Sequence, residues 1–514
     1  MRSDTGTPGH GRTGAPGHGR TGAPGHRGTV LRALVVSVPL CLGATVSGFS
    51  QCPDGSPPPC PGTRAAPPGL IVVPFENRSR DTADLYLAAT LTEDITSALA
   101  AAHAVRLLSA QGSRRGAEYR LSGSVRRENG VERVSARLER AASSEILWTT
   151  ALDGGHIAIP IADQLARLVL QRLGLRPASA PVAASTARPV DPVTADLYRR
   201  GRYFARRRTQ ADVAAGLDLL ARAVARDSSF ALAWAEIATT YSYVNAWHIP
   251  LASVPAESVL IRGLDASTRA LLADSTRAEI WVARATVLAD VEPTTRASVI
   301  RAYRRAIALD SLNVGAWGGL GTALEESGDS IAGAQALTRS LTLDPTNSAG
   351  LVGLGLWHYY WHRHYDSAKV MADSLLGVDP TNISGRRMAG TVALARGEYA
   401  IAEAQFEAAR NIGPGVERVW SLAGLAVAAV ARGDSARARS RIAEMEAIAD
   451  ASAPDLHGAI FIAWGYTALG DHGRALDWLE RFHPAGSLHF QRHLLDGPLD
   501  PLRNEPRFRR LLGP

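Results

Sequence analysis

The amino-acid sequence predicts a multidomain chain in which a small α/β domain precedes an all-α solenoid of helical hairpins. Three observations support this prediction. A pattern recurs about every 34 residues in the C-terminal two-thirds of the chain. Strand-like runs are confined to residues 70–175. The length of 514 residues exceeds what one ordinary core supports, whereas a solenoid can grow because each unit packs only against its neighbours.

The recurring pattern combines small, aromatic and helix-ending residues at fixed offsets. Asp-Pro at 344–345 and 379–380 ends a unit, because proline cannot continue a helix. Glycines within the first helix of a unit are expected to let the second helix approach closely. Gly328 and Gly397 are expected to be left-handed caps at helix ends. The residues that we assign to the repeat core are Trp317, Gly321, Gly328, Gly355, Gly390, Gly397, Tyr399, Ala402, Phe406, Ala409, Trp420 and Gly424.

These residues resemble the tetratricopeptide repeat (TPR) family, most completely from Gly390 to Pro414. The resemblance implies that residues 193–514 form a right-handed superhelix of helical hairpins whose concave face binds protein or peptide. The unit ends at Asp227 and Asp274 are 47 residues apart, which exceeds one repeat and predicts an insertion within residues 243–275. The closing sequence LLDGPLDPLRNEPRFRRLL resembles the ending common in such proteins and predicts a cap over the last hydrophobic face.

The sequence before residue 70 indicates that the protein is exported from the cytoplasm. Residues 1–29 are a Gly/Pro/His repeat, predicted to be a disordered tail. Residues 30–50 combine a basic flank with an apolar run, which predicts either a cleaved signal peptide or an uncleaved membrane anchor. Both interpretations place the later domains outside the cytoplasm. Residues 51–69 are a Pro-rich linker in which Cys52 and Cys60 are either a disulfide or two free thiols.

Residues 70–175 alternate strand and helix patterns. LIVVPF predicts a strand, and apolar residues at four-residue spacing predict a helix over 84–102. Glu128-Asn129-Gly130 predicts the turn of a hairpin. The stretches VVPFENRSRD, YLAATLTEDI, YRLSGSVRR and SSEILW resemble the TolB amino-terminal-like domain, which commonly precedes TPR arrays in bacterial signalling and envelope proteins. The segment between Leu108 and Tyr119 is shorter than in that family and predicts an uncovered sheet edge. Residues 176–192 predict a linker.

Composition and motifs favour recognition over catalysis. The net charge is +7, but Lys369 is the only lysine and the arginines are spread along the helices, so no nucleic acid is expected as a partner. No phosphate loop, kinase triplet or nucleophile with a nearby base occurs. Glu93 and Asp94 are adjacent, so they are interpreted as part of a solvated helix face. We therefore expect neither enzymatic activity nor a cofactor.

The cluster WHYYWHRHYD offers the one candidate metal site. His358 and His362 are four residues apart and face one way on a helix, with His364 and Asp366 following. The alternative is the aromatic end of a repeat helix, where neighbouring tyrosine and tryptophan rings pack. A zinc enzyme built on these histidines is retained as a hypothesis, but no metal ligand is assigned.

The leading functional hypothesis is an exported, non-enzymatic scaffold that binds a protein or peptide partner through the concave face of the array. Candidate partner-binding residues are Trp247, Tyr360, Trp361 and Arg363, because they fall in irregular or loop-adjacent places and combine aromatic rings with an arginine. The alternative is a membrane-anchored signalling or regulatory subunit that lacks its own output domain. Membrane association would then occur through residues 30–50.

Overall fold

The computed structural model describes residues 67–81, 84–102, 104–108, 117–129, 131–154, 161–176, 190–207, 209–246, 249–291, 296–360, 362–411, 416–451, 456–481 and 493–512. The predicted tail, the signal or anchor segment and the linker with Cys52 and Cys60 lie outside these residues, as does most of the predicted linker 176–192. Residues 66–514 form one compact unit. Among the described residues, no helix has the length and apolar character needed to cross a membrane.

The N-terminal part of this unit is a mixed sheet covered by two helices. The strands are β1 (Gly69–Val72), β2 (Glu76–Asn77), β3 (Arg106–Leu108), β4 (Tyr119–Glu128), β5 (Val131–Arg140) and β6 (Ile146–Gly154). Their order is β3-β1-β4-β5-β6, with β2 beside β4; β1 is parallel to β3 and β4, whereas β4, β5 and β6 are antiparallel. Helices α1 (Tyr86–Ala102) and α2 (Ile161–Arg172) share one hydrophobic core with the sheet.

The predicted elements of this domain match those observed. Leu87, Leu91, Ile95 and Leu99 lie on the buried side of α1, as their four-residue spacing requires. The hairpin of β4 and β5 turns at Asn129, whose φ of 52° is a left-handed conformation that asparagine tolerates. The sequence pattern of ILWT predicts a strand over 146–149, and β6 extends beyond it because its pairing with β5 continues to Gly154.

The rest of the unit is all helical. The helices are α3 (Pro192–Ala205), α4 (Gln210–Arg226), α5 (Ala231–Ala246), α6 (Ala256–Ala273), α7 (Ala278–Ala289), α8 (Arg296–Leu309), α9 (Val314–Glu326), α10 (Ser330–Leu343), α11 (Ser348–Tyr360), α12 (Tyr365–Val378), α13 (Ile383–Ala395), α14 (Tyr399–Arg410), α15 (Val416–Ala431), α16 (Ser435–Ala451), α17 (Leu456–Ala468), α18 (His472–Arg481), a 3-10 helix (Gly497–Leu502) and α19 (Pro506–Leu512). From α3 to α18, each odd-numbered helix packs against the next helix as a hairpin.

This array confirms the predicted fold class, an α/β domain followed by an all-α solenoid of TPR-like hairpins. The first helices of successive hairpins contact one another from α5 to α17, whereas the second helices approach each other less closely. Tighter spacing on one side curves a stack toward that side, so the first helices form the inner surface of the array.

Small and large residues alternate across the hairpins as the sequence pattern predicts. Phe406 of α14 is fully buried, and its ring lies against the backbone of two first helices. A Cβ atom added at Gly390 or Gly424 would lie 2.8 or 2.3 Å from that ring. Gly328 and Gly397 end α9 and α13 with φ of +91° and +73°. Of the other assigned core residues, Ala402 and Ala409 are fully buried, whereas Tyr399 is exposed.

The Asp-Pro-Thr-Asn turns begin the first helices by side-chain capping. Asn347 and Asn382 accept hydrogen bonds from the amides of Gly350 and Gly385, at 2.7 and 2.8 Å. Asn313 caps α9 in the same way. An asparagine at the equivalent position therefore caps the first helix of three successive hairpins.

The extra residues predicted at 243–275 belong to the hairpin of α5 and α6. The connection between these helices runs from 247 to 255 and contains an isolated bridge between Leu251 and Val254. Helix α6 is also longer than the other second helices, with 18 residues.

Candidate functional site

The candidate site is an open cleft on the inner, first-helix surface. Its volume is about 360 Å³, and it is lined by the first helices of three successive hairpins, α9, α11 and α13, together with Asn382, the residue that caps α13. The lining residues are Thr322, Glu325, Ser348, Ala349, Val352, Gly353, Leu356, Asn382 and Ser384. The cleft lies on the first-helix surface, and binding of a partner there stays a prediction.

The cleft combines an apolar floor with polar walls. Val352 and Leu356 of α11 are half-buried and provide the apolar contact area. Ala349 and Gly353 carry little or no side chain, so another backbone can approach α11 closely. Asn382 uses its side-chain oxygen to cap α13, which leaves its amide nitrogen as a donor. Hydroxyl and amide groups, together with Glu325, lie around the apolar strip. Such a lining suits an extended polypeptide, whose backbone needs hydrogen bonds at regular intervals.

The predicted partner-binding residues lie around the end of α11 or outside the described residues. Trp247 and Trp361 are not among the described residues, and nothing is described of the side chain of Tyr360. Arg363 is described: it follows α11 with a φ of 50°. Its guanidinium donates two hydrogen bonds to Asp500, at 2.8 and 2.9 Å. The partner-binding role of these four residues stays a prediction.

Residues 493–503, called here the C-terminal segment, lie against first helices far from them in sequence. Leu494, Leu499 and Leu502 are fully buried in the cluster that also contains core residues of α15 and α17. Leu495 packs instead against the cluster of α11, α12 and α13. The predicted cap therefore covers more than the last hydrophobic face, because it reaches back to α11.

Two polar contacts fasten the C-terminal segment to α11. The hydroxyl of Tyr359 accepts a hydrogen bond from the amide of Gly497 at 3.3 Å. Arg363 binds Asp500 through both carboxylate oxygens and also donates to the carbonyl of Leu495 at 3.3 Å. The Asp500 carboxylate raises the pKa of Arg363 further above its ordinary value. Two side chains 137 positions apart leave no periodic signal, so sequence reasoning missed this contact.

The histidine cluster lies at the same turn. The ring centroids of His362 and His364 are 5.5 Å apart, and those of His358 and His364 are 6.1 Å apart. Burial and the two neighbouring imidazoles lower the pKa of His358. Trp357 packs on His362 with ring centroids 4.0 Å apart. In the described part of the chain, no group of three His, Cys, Asp or Glu residues is arranged to hold a metal ion, and Asp366 is paired with Arg396.

Glu93 and Asp94 are 46% and 33% exposed, so the predicted solvated face is only part of the description, because both carboxylates are also ion-paired. Asp94 accepts a hydrogen bond from Arg202 of α3 at 2.6 Å. Glu93 accepts one from Arg206 at 2.9 Å. Both carboxylates of α1 therefore bind the first helix of the array.

A second set of ion pairs joins the sheet to α3. Arg127 of β4 donates to Asp84, Glu132 and Asp196, each at 2.9 Å, and Arg199 donates to Glu132 at 2.7 Å. Burial alone would raise the pKa of Glu132, but the two guanidinium groups lower it below its ordinary value. Arg200 lies 3.9 Å from Asp196, so three guanidinium groups face three carboxylates in this contact. Such pairing offsets the cost of partly burying the charges.

A buried acid lies nearer the middle of the array. Asp290 ends α7 and accepts a hydrogen bond from Ser242 of α5. Burial raises the pKa of Asp290 to about 6, and the neighbouring charge of Glu326 contributes in the same direction. Glu326 is itself paired with Arg296 at 2.8 Å. Asp290 is therefore a titratable group within the packed first-helix layer.

Comparison with known proteins finds similarity among solved structures only: no family model and no curated protein matches the chain. PilF of Pseudomonas aeruginosa is 20% identical, over 42% of this chain and 94% of that chain, with a TM-score of 0.33. A TPR protein of Parabacteroides merdae is 16% identical, over 54% and 97%, with a TM-score of 0.35. YrrB, described as a TPR protein with an unusual peptide-binding site, is 16% identical, over 41% and 96%, with a TM-score of 0.29. At these identities and TM-scores, the similarity carries no information on what this chain binds.

Proposed function

We propose that the chain is a non-enzymatic scaffold that binds an extended polypeptide along the first-helix surface of its solenoid. The observation that carries the proposal is the open cleft lined by α9, α11 and α13. The cleft is open rather than enclosed, and hydroxyl groups, an amide and Glu325 border its apolar strip. Such a surface binds a chain that lies across several helices.

The expected binding mode is a sum of many weak contacts with a few dominant ones. Each hairpin contributes the same face of its first helix, so a ligand that extends along the array meets similar groups at each step. Val352 and Leu356 supply the apolar area in the cleft, and removal of apolar surface from water provides about 25 cal/mol per Å². Partner identity then depends on the side chains at the ends of this strip.

The proposal includes export, on the strength of residues 30–50 and the resemblance to the TolB amino-terminal-like domain. The domains are expected in the periplasm, or outside the cytoplasm on an inner-membrane anchor. Fractionation of a bacterial host that expresses the full chain distinguishes these two outcomes. Protein released with the periplasm supports a cleaved signal, and protein retained by membranes after a salt wash supports the membrane-anchored regulatory subunit. Recovery in the cytoplasm contradicts export.

Selection of 12-residue peptides from a phage-displayed library on the full-length chain tests the binding function. The affinity of selected peptides is then measured on Val352→Arg and on the matched variant Val370→Arg. Val352 lines the cleft, whereas Val370 of α12 is exposed outside it. We expect Val352→Arg to weaken binding at least about tenfold, because a charged side chain fills the apolar strip, and Val370→Arg to leave it unchanged. Equal affinity of both variants contradicts the proposal.

A further inference from the structure

We propose that the partner peptide is acidic and that Arg363 binds its carboxylate in place of Asp500. This inference rests on the proposed function and names the chemical class of its ligand. It starts from the C-terminal segment, which is itself a peptide bound to the first-helix surface. In that contact, Arg363 and Asp500 form the charged pair, and leucine side chains form the apolar part.

The Arg363–Asp500 pair is the accessible part of that contact. Each side chain is 39% exposed, whereas Leu494, Leu499 and Leu502 are fully buried. A carboxylate from solvent can therefore reach the guanidinium without removing any leucine from the core. A planar guanidinium binds any carboxylate in the same bidentate geometry, so Arg363 has no intrinsic preference for Asp500.

Exchange at Arg363 leaves no charge uncompensated. Asp500 also accepts a hydrogen bond from Arg503 of its own segment, at 2.6 Å. When a partner carboxylate takes Arg363, Asp500 keeps Arg503 and remains paired. The large penalty for breaking an ion pair comes from the charge left alone, and that penalty is avoided here.

The position of Arg363 matches that of the cleft. Helix α11 lines the cleft up to Leu356 and ends at Tyr360, about 6 Å further along its axis. An extended peptide advances about 3.3 Å per residue. A few residues therefore join a backbone in the cleft to a carboxylate on Arg363.

The resident carboxylate also sets a threshold for binding. Asp500 is held beside Arg363 by the same chain, at an effective concentration in the millimolar range or above. A free carboxylate at micromolar concentration does not displace it. A peptide that is also bound in the cleft does, because its own carboxylate is then local. Recognition accordingly requires both an acidic residue and contacts with the apolar strip.

Peptides selected on the full-length wild-type chain provide the probe for this inference. A fluorescein-labelled selected peptide is compared with the same peptide carrying amides in place of its carboxylates, by fluorescence anisotropy. The proteins are the full-length wild type, Arg363→Gln, Asp500→Asn and Arg507→Gln. Arg507 is the matched control, because it pairs with Asp477 and Glu480 away from α11.

The two partners of one ion pair are expected to act in opposite directions. Arg363→Gln should weaken binding of the acidic peptide about ten- to hundredfold. Asp500→Asn should strengthen it severalfold, because the competitor is removed. The amide peptide should bind all four proteins about equally. A purely structural pair predicts the same direction for both variants, which thermal unfolding of each variant checks separately.

Three results overturn the inference: equal affinity for the acidic and the amide peptide, a loss in both Arg363→Gln and Asp500→Asn, or an equal change in Arg507→Gln. In each case, a peptide that still depends on Val352 leaves the proposed function standing. Failure to select any peptide on the wild type contradicts the proposed function itself.

Discussion

At the scale of single residues, Phe406 shows how one side chain sets the spacing of three helices. It belongs to α14, and its ring fills the space left by missing side chains at Gly390 of α13 and Gly424 of α15. A Cβ atom at either glycine would lie 2.8 Å or less from the ring and clash with it. The packing of this ring between two glycines explains why the sequence repeats a glycine in the first helix and a large residue in the second helix.

Replacing Phe406 by alanine should open a cavity between α13, α14 and α15. The expected loss is about 3–5 kcal/mol of unfolding free energy, the range for a buried phenylalanine in a packed core. Chemical denaturation followed by circular dichroism measures it. Tyr399→Ala, at the exposed start of the same helix, is the control and should cost less than about 1 kcal/mol. Equal losses would show that the ring of Phe406 does not support the stack.

Asp290 predicts a pH-dependent stability. Its pKa is raised to about 6 in the folded chain, whereas the pKa of an aspartate in an unfolded chain is about 3.9. The folded chain therefore holds this proton more tightly. The resulting stabilisation is fully present below the unfolded value and is lost as the pH rises through 6. Asp290→Asn carries no charge to bury, so it should gain about 1–2 kcal/mol relative to wild type between pH 5 and pH 7.

Denaturation midpoints at pH 4, 5, 6 and 7 measure this effect. Asp265→Asn is the control, because it removes the same charge from an exposed position on α6 that is paired with Arg269. It should show no gain over that range. Parallel pH profiles for wild type and Asp290→Asn would mean that Asp290 stays ionised in the folded chain, with the hydrogen bond from Ser242 compensating its burial.

At the scale of elements, the contact between α1 and α3 determines whether the α/β domain belongs to the array. Arg202 lies between Asp94 and Tyr198, 2.6 Å from the first and with its guanidinium carbon 5.4 Å from the ring centroid of the second. Its side chain is 12% exposed. Arg127 and Arg199 extend the same contact to the sheet. The α/β domain thereby covers the first hairpin, whose outer face has no preceding hairpin to bury it.

Arg202→Glu should weaken this docking, because it puts a third carboxylate beside Glu93 and Asp94. The expected cost is about 2–4 kcal/mol, since one partner of a largely buried pair becomes a like charge. Hydrogen exchange of α1 and α3 measures local opening at the contact. The double variant Arg202→Glu with Asp94→Arg should restore part of the protection. Arg133→Glu, which disrupts an exposed pair with Asp153, should leave both helices protected.

The sequence predicts the packing features that recur along the array, but it does not predict ion pairs that occur once. The helix spacing, the glycine caps and the pairing of a large residue with glycines recur along the array. The sequence therefore shows each of these features several times. The pairs Arg202–Asp94 and Arg363–Asp500 occur once, between residues separated by more than 100 positions. A single charge has no period, and one arginine in a helix looks like any other. The sequence therefore predicts solvent around Glu93 and Asp94 and a cap on the last hairpin alone.

The candidate site divides in the same way. The sequence predicts that first helices line a binding surface, and the cleft of α9, α11 and α13 lies there. It does not predict which hairpins form a cavity. The small residues Ala349 and Gly353 of α11 match ordinary repeat positions, and only their packing against α9 and α13 makes them part of an opening.

At the scale of the whole molecule, the array is a chain of neighbour contacts to which the C-terminal segment adds long-range contacts with α11. Each hairpin packs on the next through similar surfaces, so units should be removable in register. Tyr303 of α8 packs against Gly319 of α9, where an added Cβ would lie 2.2 Å from its ring. Gly353 of α11 occupies the equivalent position one repeat later, and Asn347 caps α11 as Asn313 caps α9.

Deletion of residues 311–344 therefore removes one complete hairpin and places Gly353 opposite Tyr303. We expect a folded chain with one hairpin fewer, because the new junction repeats the old one and the C-terminal segment keeps its contacts with α11 and α17. Circular dichroism should show a proportional loss of helix and a retained cooperative unfolding transition. Peptide binding should fall, since Thr322 and Glu325 leave the cleft.

Deletion of residues 311–327 is the matched control, because it removes α9 alone and leaves α10 without its partner. A first helix is then missing from the inner layer, and the apolar face of α10 has no hairpin to bury it. This shorter deletion should lose more cooperativity than the longer one, although it removes half as much chain. If the two deletions reduce the cooperativity of unfolding equally, stability depends on contacts along the whole array rather than between neighbours. The ion pair between Asp500 and Arg363 is then the first such contact to test.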